Sequence, residues 1–329
     1  MRPNTWKFLS LGSALALMTL ACSEPTGHET ATIPPIETTP SIKPIAQGQI
    51  VFFENESTGY GIFVADSDGV LLKRISPQGA LDIDPAVSRD GKRIAYSNAI
   101  PSGNDWNIFV MNADGSNRVR VTNLPASNDR PAWSPDGKRI AFESIADRTN
   151  NQIYVVNADG TGTTQLTFSK GNSGSPEWSS DGKRILFDRD MNGWENKGIF
   201  SMSPDGTNVR QLTSGYRDRQ PTWSPDGTRI AFIRELNNSG NQLFVMNADG
   251  SGATQLTIGI TTISDPSWSP DGASIAFGFV STSRMCVDDY YGDGSQTFPC
   301  GHDVVRVSLN GAIVPVWVLK SAHNAAWHR

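Results

Sequence analysis

The chain has 329 residues and a formal net charge of −5, with 28 Lys and Arg residues against 33 Asp and Glu residues. No basic stripe runs along it, and this charge balance gives no electrostatic basis for binding nucleic acid, whose phosphates attract clustered Lys and Arg side chains. We therefore expect no nucleic-acid partner.

Residues 1–21 have the pattern of an export signal. Two basic residues precede an apolar run from Phe8 to Ala21, and Cys22 follows directly. This order is typical of a bacterial lipoprotein signal peptide, and the run is shorter than the roughly 20 apolar residues that span a bilayer. The sequence predicts cleavage before Cys22 and acylation of that residue. An ordinary cleaved signal with an incidental cysteine is the alternative.

Residues 22–47 are rich in Pro, Thr and Ser and show no apolar periodicity. Such a segment cannot bury a core, so a disordered tether is predicted. Together with the lipidated Cys22, the tether predicts an exported protein of the cell envelope. We expect it to be held by lipid at the outer membrane, facing the periplasm or the surface.

The rest of the chain, residues 48–329, contains an internal repeat. Tryptophans recur every 45 residues, each in a near-copy of Pro-x-Trp-Ser-Pro-Asp-Gly, at Trp133, Trp178, Trp223 and Trp268. A fixed period of this length indicates a repeat architecture. One period contains four short apolar runs and two Asp-Gly turns, which predict four antiparallel strands, A to D. Strands B and C are apolar and inner, whereas strand D alternates and lies at the outer edge.

The number of repeats predicts the fold. Strand B and the turn between strands C and D each occur six times, whereas strand A has five complete copies and a sixth at the end of the chain, residues 324–327. The sequence therefore predicts an all-β, six-bladed β-propeller with four-stranded antiparallel blades. Its first blade takes strand A from the C-terminus and strands B to D from the N-terminus, which closes the circle. The recurring tryptophans are expected to pack between blades.

Two repeated strings resemble those of the TolB-type β-propeller family. They are Pro-x-Trp-Ser-Pro-Asp-Gly at residues 131–137 and Asn-Ala-Asp-Gly at residues 112–115, and the resemblance extends over roughly residues 48–329. TolB proteins carry an α/β domain before the propeller and work in the periplasm with a peptidoglycan-associated lipoprotein. This chain is expected to lack that domain. Similar propellers occur in serine peptidases and in pectate-fragment lyases with metal-binding histidines. No Gly-x-Ser-x-Gly string, which is typical of a serine nucleophile, occurs in this sequence.

Strand order predicts two different faces. Because successive strands reverse direction, the A–B and C–D turns lie on one side, here called the turn face, and the B–C and D–A loops lie on the other, the loop face. The long loops are all on the loop face, at residues 97–105, 143–150, 188–195, 233–240 and 278–302. A rigid scaffold usually presents its binding residues on such loops.

The residues just before each strand A are predicted to surround the mouth of a central channel on the loop face. They are Asp82, Asp84, Asp129, Arg130, Asp218, Arg219, Gln220, Asp265, His323 and Asn324. Aromatic residues on the same face are predicted to anchor a partner, because such residues dominate binding hot spots: Trp194, Tyr290 and Tyr291. The alternative for the polar residues is that they only hydrogen-bond adjacent loops and water.

The longest loop contains the two remaining cysteines, Cys286 and Cys300. A disulfide between them would persist in an oxidising compartment and would stabilise the loop by roughly 3 kcal/mol. Two free thiols are the alternative.

These patterns predict a non-catalytic, monomeric scaffold that binds an envelope protein or peptide through the loop face and requires no metal or cofactor. The alternative is a metal-assisted lyase or hydrolase acting on a polysaccharide or cyclic peptide at the channel mouth. In that case His302 and His323 would be metal ligands, completed by Asp288 or Asp265.

Overall fold

β-Strands make up all of the regular structure in the part of the chain that the computed structural model describes. That part comprises residues 43–56, 59–67, 69–99, 105–191, 197–214, 216–236, 240–258, 263–280, 285–287, 297–299, 302–309, 313–320 and 322–327. Its side chains are described up to residue 279, except Glu56, and again for residues 304–309. Within these residues no helix has the length and apolar character needed to cross a bilayer.

Twenty-six strands follow one another in the described residues. In order they are β1 (Ile50–Glu56), β2 (Gly59–Ala65), β3 (Leu71–Arg74), β4 (Asp82–Val87), β5 (Arg93–Ala99), β6 (Trp106–Asn112), β7 (Val119–Arg120), β8 (Asn128–Trp133), β9 (Arg139–Ser144), β10 (Gln152–Asn157), β11 (Thr164–Gln165), β12 (Ser173–Trp178), β13 (Ile185–Asp190), β14 (Lys197–Met202), β15 (Arg210–Gln211), β16 (Arg217–Trp223), β17 (Arg229–Leu236), β18 (Gly240–Asn247), β19 (Thr254–Gln255), β20 (Ile263–Trp268), β21 (Ser274–Val280), β22 (Met285–Val287), β23 (Thr297–Pro299), β24 (His302–Ser308), β25 (Ile313–Lys320) and β26 (Ala322–Trp327).

Antiparallel units of four strands repeat along the chain. Strands β4 to β7 and β8 to β11 form two sheets, and β12 to β15 and β16 to β19 form two units that one parallel pairing, Lys197 with Arg217, joins into a larger sheet. Strands β20, β21, β24 and β25 form another sheet. A further four-stranded sheet has the order β26-β1-β2-β3, so the last described strand pairs with the first. The predicted A-to-D order, with strand D at the edge, is confirmed.

The turn between strands A and B has the same hydrogen bonds in successive repeats. After β8, the Ser134 hydroxyl donates to Asp136 Oδ1 at 2.6 Å and accepts from the Arg139 backbone N–H at 2.9 Å. Gly137 closes this turn with a φ of 65°, a left-handed conformation that glycine adopts without a Cβ clash. The same Ser–Asp hydrogen bond occurs in the pairs Ser88–Asp90, Ser179–Asp181, Ser224–Asp226 and Ser269–Asp271. The repeated motif therefore reflects the requirements of the turn.

The recurring tryptophans pack between neighbouring sheets, as predicted. Trp133 of β8 shares an apolar cluster with Ala95 and Ile108 of the preceding sheet, and its Nε1 donates to the Ala86 carbonyl oxygen at 3.1 Å. The Arg93 guanidinium lies 4.5 Å from the centre of the Trp133 ring, within the range of a cation–π contact. The contact recurs at 4.7, 5.3 and 4.9 Å in the pairs Arg139–Trp178, Arg184–Trp223 and Arg229–Trp268.

Strand B extends further than the sequence predicts. The loops predicted to begin at residues 143 and 188 begin later, because β9 continues through Glu143 and β13 continues through Asp188. The predicted loop 278–302 likewise contains a hairpin, β22–β23. Strand B was expected to end before residues 143 and 188. Here the polar residues remain in the strand, and Glu143 and Asp188 line a channel instead of the core.

The channel lies among the strands A. Each strand A from β4 to β20 contacts the next one, and β26 contacts both β20 and β4. Because strand A is the innermost strand of each unit, the side chains that it turns inward define the channel surface.

Candidate functional site

Each strand A with described side chains contains a β-bulge at the same place. The first bulge residue has a φ of 51° or 52°, although none is glycine, and a proline follows it; these residues are Asp84, Arg130, Ser175, Gln220 and Asp265. A non-glycine residue in this left-handed region costs about 1–3 kcal/mol, which the surrounding packing must offset. We call these five residues the bulge ring.

The bulge ring lies between two cavities of the channel. All five residues line a cavity of about 490 Å³ whose other walls are the strand A prolines and A–B turn residues such as Pro135. All except Asp84 also line a second cavity of about 370 Å³, which residues near the loop face complete, among them Asn151, Asn172 and Lys197. We call these the turn-side cavity and the loop-side cavity. The ring is therefore inside the channel, deeper than the predicted position at the mouth.

Glu143 organises the charges on one side of the ring. Its Oε1 lies 3.4 Å from Arg130 Nε, and its Oε2 accepts the Ser175 backbone N–H at 3.1 Å. Asp129 is opposite Glu143 in the strand pairing, and burial together with the neighbouring Glu143 carboxylate raises the pKa of Asp129 well above its ordinary value. Burial opposes the Arg130 charge, but the surrounding carboxylates, Glu143 first, raise the pKa of Arg130. The Arg130 guanidinium thus stabilises the Glu143 carboxylate, which is paired with Asp129 across the two strands.

Asp188 has the equivalent position in the next unit. Its Oδ2 accepts the Gln220 backbone N–H at 3.0 Å, and its Oδ1 lies 3.0 Å from Lys197 Nζ, which is 3.6 Å from Asp190. Burial opposes the Lys197 charge, but Asp188 outweighs it and raises the pKa of Lys197. Gln220 also donates to Asp265 Oδ1 at 2.6 Å and accepts the Asp265 backbone N–H at 3.1 Å. The backbone N–H groups of three left-handed residues are therefore bound by side chains of the preceding unit.

The prediction that Asp82 and Asp218 contact a partner at the channel mouth is wrong. Both are fully buried, and their equivalents Asn128 and Ser173 are buried too. Asp82 forms an ion pair with Arg118 at 2.7 Å, and Asp218 binds Arg234 through both carboxylate oxygens at 2.7 and 2.8 Å. A carboxylate at this buried position requires a cation, and the fold supplies one from the same chain.

The other predicted residues are placed as follows. Arg219 lines the loop-side cavity. His323 and Asn324 lie in β26, where the register shifts between His323 and Ala326 as at the other bulges, but their side chains are outside the described set. Cys286 lies in β22, also without a described side chain. The predictions for Cys22, Trp194, Tyr290, Tyr291 and Cys300 fall outside the described residues.

Three charged residues of the loop-side cavity were not predicted as site residues from the sequence: Glu143, Asp188 and Lys197. The sequence does contain a signal for Glu143 and Asp188, because both directly follow the aromatic residue of strand B. Glu54 follows Phe53 in the same way. Lys197 has no such signal, since it begins β14 after a loop of different length in each repeat.

The loop-side cavity can hydrogen-bond a polar ligand from several directions. Its charged lining residues are Arg130, Lys197 and Arg219 together with Glu143, Asp188 and Asp265. Amide and hydroxyl groups lie between them, and a few convergent polar groups in a cavity are typical of a binding site. In the described part of the chain, no cluster of three or more His, Cys, Asp or Glu side chains could hold a metal ion.

Repeated four-stranded antiparallel sheets around a channel define the β-propeller class. A sequence profile described as the TolB beta propeller domain matches residues 36–241, more than half of the chain. The chain therefore belongs to the TolB β-propeller family, which confirms the resemblance seen in its repeats. A search of curated proteins finds no match.

Similar solved structures include two TolB proteins and a lyase. TolB from Acinetobacter baumannii aligns with a TM-score of 0.69 and 20% identity over 85% of this chain and 66% of its own, so this chain spans about two thirds of that TolB. A putative TolB from Agrobacterium tumefaciens aligns with a TM-score of 0.53 and 24% identity over 68% and 87%. An oligogalacturonate lyase in complex with manganese aligns with a TM-score of 0.54 and 13% identity over 80% and 72%. At these identities the likeness concerns the fold.

Proposed function

We propose that this chain is a non-catalytic binding module that recognises a protein or peptide through the loop face and the loop-side cavity. The observation that carries this proposal is a contrast between neighbouring positions of the repeats. The bulge position holds Asp, Arg, Ser, Gln and Asp in succession, whereas the next residue is proline in all five. A purely structural role would be met by the same side chain each time. Four of these side chains, Arg130, Ser175, Gln220 and Asp265, line the loop-side cavity, and their differences make a specific pattern of donors and acceptors.

Exposed apolar side chains favour a protein as the partner. Phe168, Tyr216 and Ile258 lie in three successive D–A loops and are 79%, 48% and 85% exposed. These loops belong to the repeats whose residues line the loop-side cavity. Large apolar groups beside a polar cavity are typical of a protein-binding surface.

Site-specific photo-cross-linking in cells tests this proposal. A benzophenone amino acid at position 168, 216 or 258 is expected to yield a covalent protein adduct, because these positions would border the bound partner. Lys138, exposed on the turn face, and Val119, exposed on an outer strand, are the matched control positions. Adducts that form equally at the control positions, or only there, would refute binding through the loop face.

The proposed scaffold is a closed, six-bladed propeller. Its support is the pairing of β26 with β1 and the contact of β26 with both β20 and β4. Removal of residues 321–329 would then leave one sheet without its inner strand, and we expect the midpoint of thermal unfolding to fall by about 10 °C or more. An unchanged midpoint, measured by circular dichroism, would contradict closure.

We further propose that a signal peptide, residues 1–21, exports the protein and that acylated Cys22 anchors it to the envelope through the 22–47 tether, as a monomer. The supporting pattern is the basic and apolar sequence that ends at Cys22. A Cys22→Ser variant should lose palmitate labelling and move from the membrane fraction to the soluble fraction. Retention of label by the variant would exclude this anchor.

A disulfide between Cys286 and Cys300 is proposed for the same oxidising compartment. Cys286 pairs with Phe298 in the β22–β23 hairpin, and Cys300 follows Phe298 by two residues in the sequence, which supports this proposal. Thiol labelling of the denatured, exported protein should find these two cysteines free only after reduction. Labelling without reductant would refute the bond.

A further inference from the structure

Arg219 differs from the other cations of the loop-side cavity because no acidic side chain among the described residues pairs with it. Arg130 is paired with Glu143, and Lys197 is paired with Asp188. Among the described residues, none forms an ion pair or hydrogen bond with Arg219, and its Nε is buried without an acceptor from the protein. A buried guanidinium N–H without an acceptor is costly, so this arrangement favours an acceptor supplied by a ligand.

The strand pairing explains this difference between Arg219 and the other two cations. In the two preceding units, strand B places Glu143 opposite Asp129 and Asp188 opposite Gly174. The equivalent position opposite Arg219 is Ile233, which is fully buried in an apolar cluster. This unit therefore has the cation of the cavity without the carboxylate that the neighbouring units carry.

We infer that Arg219 binds a carboxylate of the partner in the loop-side cavity, an inference that rests on the proposed function. A guanidinium presents parallel N–H donors that match the two oxygens of a carboxylate. The cavity, of about 370 Å³, is within the size range of small-molecule sites and accommodates a short peptide segment. The carboxylate belongs either to an acidic side chain or to a C-terminus of the partner. Both present the same two oxygens to the Arg219 guanidinium.

Nuclear magnetic resonance with small probes tests this inference without knowledge of the partner. The probes are N-acetylglutamate α-amide, with a side-chain carboxylate, N-acetylalanine, with a terminal carboxylate, and N-acetylglutamine amide, which is neutral. The Nε–H signal of Arg219, assigned by its absence from Arg219→Gln, is expected to shift with one or both acids and not with the neutral amide. The acid that shifts it at lower concentration identifies the source of the carboxylate.

Variants provide the matched comparison. The affinity for the more effective acid, read from the backbone N–H of Ser264 in the same cavity, should fall at least about tenfold in Arg219→Gln and less in Arg219→Lys, which keeps the charge but loses the paired donors. Arg217→Gln is the control, because Arg217 lies two residues away on β16 and is paired with Glu235. Its affinity should stay within about twofold of the parent protein.

The outcomes separate this inference from the proposed function. The inference is overturned if the Arg219 Nε–H signal shifts with neither acid, or if it shifts as much with the neutral amide as with the acids. This holds even if loop-face cross-links form. An Arg219 signal that shifts with acid while loop-face cross-links are missing supports the carboxylate site and rejects the protein-binding role. An equal loss of affinity for the acid in Arg217→Gln and Arg219→Gln would also overturn the inference, because the loss would then follow from the change in net charge.

Discussion

The turn face and the loop face are built from the same repeats but differ in what is repeated. On the turn face, each A–B turn uses the same Ser–Asp hydrogen bond. Toward the loop face, equivalent positions hold Asp129, Gly174, Arg219 and Ser264, which share no chemistry. The repetition identifies the residues that the fold requires, and the variation identifies those available for recognition. Substitutions on the two sides should therefore change different properties.

The largest expected effect follows from removing a repeated tryptophan. Trp223 is almost fully buried against Leu186 and Ile199 of the preceding unit, and Trp223→Ala should lower the free energy of unfolding by about 3–5 kcal/mol. Phe168→Ala, on the exposed loop face, is the control and should change it by less than about 0.5 kcal/mol. Urea unfolding measures both. Similar losses in the two variants would contradict the division between scaffold and recognition surface.

A repeated glycine of the turn face should give the next largest effect. Gly250 has a φ of 91°, and a Cβ added there would lie 2.7 Å from the Leu212 carbonyl oxygen, so we expect Gly250→Ala to cost about 2–3 kcal/mol. Gly137→Ala is the comparison, because its φ is 65° and its added Cβ would meet only the flexible end of Arg93. It should cost about 1 kcal/mol. The reverse order in urea unfolding would show that the carbonyl contact does not limit this turn.

The smallest expected effect is a difference in pH dependence between the two sides. Burial and Glu143 raise the pKa of Asp129, so its contribution to stability is complete at pH below about 4 and is lost as the pH rises through the folded-state pKa. The Ser134 hydrogen bond lowers the pKa of Asp136, so its contribution is present above about pH 4 and is lost as the pH falls. Relative to the parent protein, Asp129→Asn should gain stability as the pH rises, and Asp136→Asn should lose it.

Urea unfolding of both variants measures these slopes, above about pH 4 for Asp129→Asn and from about pH 2 to pH 4 for Asp136→Asn. Ser134→Ala is a further control, since it removes the hydrogen bond that lowers the pKa of Asp136 but leaves the Asp129–Glu143 pair intact. Parallel slopes in Asp129→Asn and Asp136→Asn would mean that the two carboxyl groups have the same environment.

The sequence predicts the parts of this fold that depend on local chemistry. The period of the tryptophans and the Asp-Gly turns were sufficient for the four-stranded units and their strand order. The sequence also predicts Arg130, Gln220 and Asp265 as neighbours, because equivalent positions of a repeat must lie close together around its axis. These predictions needed no knowledge of distant contacts.

The errors concern positions at which a distant residue decides the outcome. Asp82 and Asp218 were expected in the channel, but Arg118 and Arg234 bind them in buried positions. Glu143 was expected to begin a loop, yet it continues β9, where its carboxylate accepts the Ser175 N–H of the next unit and pairs with Arg130 of β8. None of these partners can be inferred from the local sequence pattern.

The left-handed bulges also limit how recognition can diversify. At each bulge the backbone conformation is set by the scaffold, so the side chain can be exchanged without rebuilding the strand. Branched residues such as Val, Ile and Thr are disfavoured in this conformation, whereas Asn, Asp and Gly adopt it more readily. New specificities, whether they arise by evolution or by engineering, are therefore limited to a small set of unbranched residues at the bulge positions.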